Sequence, residues 1–183
     1  MKKQGILIAV LFTFISSLAT AQFKYPGAGI ILTNGSSYEV SDVDYYNGLL
    51  GVYLENQFDV GKKWNLVPGL AFYLPNKESE SQTNFMALNL DLHYVSNPNR
   101  KTNVYLFGGA HVAGWWIKDE YYSVLLGQRD INELKISPAL NAGAGVRFPI
   151  AYKVKFDIRA KLIVGMHTQI VANAGVLFNL SDR

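Results

Sequence analysis

The sequence predicts an all-β chain, an eight-stranded antiparallel up-and-down transmembrane β-barrel. Three observations predict it: apolar and polar side chains alternate, eight segments repeat the pattern, and the connections between them are alternately short and long.

The alternation is clearest over residues 153–164. Val154, Phe156, Ile158, Ala160, Leu162 and Val164 occupy one face, and Lys155, Asp157, Arg159 and Lys161 the other. Period two is the signature of a strand with unlike faces. A soluble sandwich could carry one such strand, so the decision rests on strand length, repetition and targeting. The chain opens with Lys2 and Lys3, an apolar run over 6–15 and a small-residue tail, Ala19-Thr20-Ala21. That is the layout of a secretory signal peptide over residues 1–21, cut before Gln22, with the barrel over 22–183.

At 183 residues the chain is one domain by length. Past the leader no run is apolar enough for a membrane helix, and the mean hydropathy of +0.07 fits hydrophobicity diluted by alternation. The formal charge is +3, but Lys2 and Lys3 lie in the leader, so the remainder is nearly neutral and offers no basic field for nucleic acid. The absence of cysteine excludes disulfides, thiolate chemistry and a lipid-modified cysteine.

Taken in order, residues 27–33 set Ala28, Ile30 and Leu32 against Gly27, Gly29, Ile31 and Thr33, and a polar, acidic loop follows over 34–46. Residues 47–60 place Leu50, Val52, Leu54 and Phe58 opposite Tyr53, Glu55, Gln57 and Asp59. A Gly61-Lys62-Lys63 turn joins them to 64–74, with Trp64, Leu66, Leu70, Phe72 and Leu74 on one face and Pro68 costing a ladder bond. After a charged loop over 75–82, residues 83–96 set Met86, Leu88, Leu90, Leu92 and Tyr94 against Asn89, Asp91 and His93. A turn at Asn97-Pro98-Asn99-Arg100 leads into 103–117, where Gly108, Ala110 and Gly114 thin the outer face and Tyr105, Phe107 and Trp115 fill the other. The longest connection, 118–133, precedes a strand over 134–148 in which Pro138 predicts a bulge or distortion. Residues 149–152 turn into 153–164, and 165–169 into the last strand, 170–180.

Each strand is long enough for a tilted crossing of about 9 to 11 residues. The second, fourth and sixth connections are short and the first, third and fifth longer and polar, which puts both termini on the short-turn side. Phe58, Trp64, Tyr94, Phe148, Phe156 and Phe178 gather at the short-turn rim of the apolar face, with Phe72 and Trp116 at the other, as interfacial girdles require.

The last strand contains Asn173-Ala174-Gly175-Val176-Leu177-Phe178-Asn179-Leu180, which resembles the terminal-strand signal of outer-membrane barrels through Asn173, Gly175, Phe178 and Leu180. In that family the barrel-assembly machinery recognises the motif, which makes that machinery an implied partner together with outer-membrane lipid and lipopolysaccharide. Ser181-Asp182-Arg183 follow the last apolar residue, where many members stop on an aromatic. With the eight-strand layout, the mature chain resembles the small outer-membrane barrels of the OmpA and OmpX type over nearly its full length, without a peptidoglycan-binding domain. The resemblance implies the outer membrane, with periplasmic termini. Gln22 after the alanine-type cleavage site is similar to exported proteins of the Bacteroidota.

A bore of eight strands is just wide enough for side chains to fill. The expected lumen network is Glu55, Asp59, Asp91, His93, His111, Lys135, Arg147, Lys155, Asp157, Arg159 and Lys161, with Tyr53, Tyr73, Asn89, Asn141 and Asn173 between them. Opposite charges in nearly equal number favour pairing into a plug over an open pore, because an unpaired charge there would cost several kcal/mol. No catalytic, cofactor or metal residue is assigned. The lipid A deacylase family uses His-x-Ser, but the positions two after His93, His111 and His167 are Val95, Ala113 and Gln169. His167, Asp119 and Ser123 could be set at the outer rim as in a palmitoyltransferase, with no motif behind them. Glu39, Asp42 and Asp44 read as solvated loop or as a divalent-cation site. Gly143-Ala144-Gly145 lies inside a strand and is no nucleotide loop. The loops remain as the contact surface for a partner protein, with Tyr38, Tyr45, Tyr46, Tyr121, Tyr122 and Leu125 as candidates. For 121–126 a simple hairpin extension is an equal alternative. The expectation is thus a non-enzymatic barrel, with a lipid A-modifying enzyme or a narrow channel as rivals.

Overall fold

The computed structural model describes the backbone of residues 25–35, 37–40, 43–46, 49–78, 81–123, 127–165 and 168–180, and side chains at 25–35, 49–75, 84–117, 134–165 and 168–180. The leader, Leu125 and His167 lie outside the described residues.

The described elements are β1 (Tyr25–Thr33), β2 (Ser37–Val40), β3 (Val43–Tyr46), β4 (Leu50–Asp59), β5 (Trp64–Glu78), β6 (Ser81–Val95), β7 (Asn103–Ser123), β8 (Gly127–Ala151), β9 (Val154–Gly165) and β10 (Gln169–Phe178). Strands β1 and β4 to β10 form a closed barrel in sequence order, all pairs antiparallel, with β1 closing against β10 from Gly27↔Leu177 to Thr33↔Val171. Closure leaves the barrel no open edge along its wall.

The pleat sorts the side chains as the alternation requires. Asp157 is 0 % exposed and its chain neighbour Ile158 is 48 % exposed. The same parity holds around the wall: Ile30, Val52, Leu54, Leu92, Leu106, Leu140, Leu162 and Ile170 are exposed, whereas Ile31, Tyr53, Tyr105, Arg159, Ile163 and Val171 are buried. The core therefore lies inside the barrel, and the apolar belt faces outward.

Two connections differ from expectation, and a third takes one of its two expected forms. The polar loop after β1 contains the β2–β3 hairpin, paired from Ser37↔Tyr46 to Val40↔Val43, where aromatic and β-branched residues favour extended backbone. The connection over 118–133 continues the β7–β8 ladder up to Ser123↔Gly127, the hairpin extension. The loop over 75–82 pairs up to Glu78↔Ser81, past a register shift between Tyr73 and Asn76.

The prolines divide as well. Pro68 pairs with Leu90 on β6, but the β4–β5 ladder skips from Glu55↔Gly69 to Phe58↔Leu66, so pairing is interrupted beside the proline. Pro138 produces no bulge: β7 runs in register through Val112↔Pro138, and the β9 pairing ends at Ala139↔Gly165, before the proline. The irregularity in β8 falls instead between Pro149 and Ala151, next to the tight turn at Tyr152-Lys153, where Lys153 has φ 60°.

Candidate functional site

The lumen is layered. Toward the short turns lies an ionic layer built from odd-numbered residues of facing strands. Asp157 of β9 accepts hydrogen bonds from Tyr105 Oη of β7 at 2.7 and 2.9 Å and from Arg147 Nε of β8 at 3.1 Å. Arg159 Nη2 donates to Glu55 Oε2 across the bore, and Arg159 Nη1 lies 3.8 Å from Asp157 Oδ2. Both guanidinium groups also stack on aromatic rings, Arg147 over Tyr105 and Arg159 over Tyr53, each 4.7 Å from the centroid. A planar cation can be held by a carboxylate at its edge and a ring on its face at once.

Midway along the bore Asn141 Nδ2 donates to Asp91 Oδ1 at 2.8 Å. Lys161 Nζ donates to Asn89 Oδ1 at 2.8 Å, and His111 Nδ1 lies 2.8 Å from the same oxygen. His93 is fully buried but joins by its ring face, stacked 4.7 Å from Tyr105, and neither of its nitrogens has a hydrogen-bond partner among the described residues. Lys135 and Lys155 are partly buried. Asp59 stands apart from the expectation: it ends β4 opposite Asn65, where the strands splay into the turn, and it is exposed at the rim and not within the buried layer.

Toward the long hairpins the lumen is apolar. Ile31, Tyr73, Phe85, Trp115, Ile117, Ile163 and Val171 pack as one buried cluster, with Tyr73–Phe85 and Phe85–Trp115 centroids 4.6 and 4.5 Å apart. This layer was not expected as a unit, although every member has the odd parity of the lumen face.

Glycines admit the rings. A Cβ built on Gly145 would fall on Tyr105, and one on Gly175 would fall on the Tyr53 hydroxyl. Both glycines are therefore set by close approach.

Cavities follow the layers. At the short-turn end a mouth of ≈ 240 Å³ is lined by Gln57, Asp59, Asn103, Arg147 and Lys155 among others. Deeper, spaces of ≈ 20 Å³ beside Glu55, Asp91, Arg159 and Lys161 and ≈ 10 Å³ beside Phe85, His111 and Trp115 are each about the size of one water.

Of the partner candidates, Tyr38, Tyr45 and Tyr46 lie on the β2–β3 hairpin, and Tyr121 and Tyr122 near the tip of the β7–β8 hairpin. Their side chains, like Leu125, are outside the described set. In the assembly motif Asn173 is buried in the lumen, while Phe178 and Leu180 are exposed on the outer face.

No protein-family model matches the chain. No curated protein matches it either. Solved structures do match. Neisserial surface protein A is similar with a TM-score of 0.61 at 13 % identity, over 85 % of this chain and 96 % of that one. Ail of Yersinia pestis, solved in complex with the heparin analogue sucrose octasulfate, is similar with a TM-score of 0.53 at 15 % identity, over 85 % and 98 %. The outer membrane protein OprG of Pseudomonas aeruginosa is similar with a TM-score of 0.52 at 11 % identity, over 85 % and 91 %. The chain has the fold of the small eight-stranded outer-membrane β-barrels.

Proposed function

We propose that the chain is a non-enzymatic integral outer-membrane barrel, exported behind its leader and inserted by the barrel-assembly machinery with both termini in the periplasm. Its lumen is sealed by side chains, and its outer hairpins make surface or partner-protein contacts. The observation that carries the reading is the inverted burial, with Asp157 and Arg159 buried inside while Leu90, Ile158 and Leu162 form an exposed outer belt. Water would penalise an apolar surface that encircles the molecule, whereas lipid and lipopolysaccharide acyl chains accept it.

The belt has the right height. On β5, Trp64 and Phe72 are both exposed. Their separation corresponds to roughly 26 Å of strand at ~3.3 Å per residue, or roughly 20 Å at a tilt of about 40°, close to the ~25 Å apolar band of such barrels. At the lower rim the Trp64 and Tyr94 centroids lie 4.9 Å apart.

The partner contact draws support from the β7–β8 hairpin. The β6 pairing with β7 stops at Gln82↔Lys118 and the β9 pairing with β8 stops at Ala139↔Gly165, but β7 and β8 pair onward to Ser123↔Gly127. Past those points the ribbon has no barrel strand beside it among the described residues, and such an edge is a template for an added strand.

Fractionation tests the placement: the protein should be found in the outer membrane and should migrate faster on gels before heating than after. Recovery as a soluble periplasmic protein would refute it. A lipid A profile altered by loss of the gene would refute the non-enzymatic reading.

A further inference from the structure

We propose that the lumen mouth at the short-turn end binds a phosphate-type oxyanion. The mouth is the ≈ 240 Å³ cavity, and among the described residues its lining places the cations Lys62, Arg147 and Lys155 against a single carboxylate, Asp59. Two donors in that lining are unspent. Arg147 uses Nε on Asp157 and its face on Tyr105, but Nη2 has no hydrogen-bond partner among the described residues. Gln57 Nε2 has none among them either. These side chains are only 4 % and 1 % exposed, so neither is a surface group whose donors are met by bulk water.

The inner layer explains why the excess charge collects here. Asp157 is shared by both arginines, while Glu55 is taken by Arg159, so among the described residues Arg147 has only part of one carboxylate for its charge. Arg147, Gln57 and Lys155 line the same cavity, and a guanidinium, an amide and an ammonium together supply donors that match the tetrahedral oxygens of a phosphate. The cavity is larger than such an ion, which leaves room for a substituent on the phosphate. Two sources supply this chemistry, a free phosphate ester and a phospholipid headgroup at the rim.

The facing of this mouth toward the periplasm rests on the proposed placement, but the binding does not. Titration of the purified, folded barrel with inorganic phosphate in octyl glucoside, a phosphate-free neutral detergent, therefore fails or succeeds independently of localisation. Saturable binding is expected. Lys155→Gln should weaken it roughly tenfold, and Asp59→Asn should tighten it roughly threefold, a gain that misfolding cannot imitate. Folding of each variant is checked by gel mobility before heating. Absence of saturable binding, or affinities unmoved by both substitutions, would overturn the proposal. Repeating the titration in phosphatidylcholine nanodiscs separates the sources: lost affinity supports occupation by a headgroup, and unchanged affinity supports a free ligand.

Discussion

Asp157 accepts from Tyr105 and Arg147 while Arg159, reaching across to Glu55, stays close to it. Removing one charge from such a set leaves its partner dry and unmatched, which costs more than removing both. Arg159→Met should therefore destabilise the folded barrel by about 3 to 5 kcal/mol, and adding Glu55→Leu should recover much of that loss. Urea unfolding from lipid vesicles checks both, and an additive double variant would contradict the pairing. Gly145→Ala is the steric counterpart. Its Cβ would strike Tyr105, which its bonds to Asp157 hold in place, so the cost should be about 1 to 3 kcal/mol by the same measurement. At this scale the identity of the lumen-facing groups was legible from parity, because the strand period puts Glu55, Asp91, Arg147, Asp157, Arg159 and Lys161 on one side. Their partners were not, since nothing in the order of residues says that Arg159 reaches Glu55 on a strand 104 positions away.

The strands carry different loads along their length. On β6, Leu90 pairs with Pro68 and Ala110, between the rims marked by Tyr94 and Met86. Leu90→Arg should cost about 2 to 4 kcal/mol in vesicles, as a charge near the bilayer midplane does. The same change should cost little if that face met water. The β7–β8 ribbon is the opposite case. Deleting residues 119–129 removes only the extension beyond the barrel and leaves a two-residue turn, so unfolding midpoint and unheated gel mobility should stay at wild-type values. Any contact with a partner protein should be lost. Sequence patterning found the eight strands because each has a long two-faced core, but it placed the hairpin ends too early. Loop polarity and the polarity of a solvated ribbon look alike, and only pairing distinguishes them.

As a whole the barrel joins an ionic layer to an apolar one, with spaces of about one water between the mouth and the hairpins. Purified protein in planar bilayers should show no steady single-channel current, and reproducible conductance steps would contradict a sealed lumen. By itself the sequence determined the class of the molecule: a two-residue period, repeated eight times with alternating connection lengths, leaves a closed wall with unlike faces as the way to satisfy every backbone group. Only the tertiary structure decided how the interior divides. Parity says which side a residue faces but not its height along the axis, and strand stagger sets that height. Stagger brings Phe85, Trp115 and Ile163 together above the charges, joins Arg159 to Glu55, and leaves Arg147 Nη2 without a partner among the described residues.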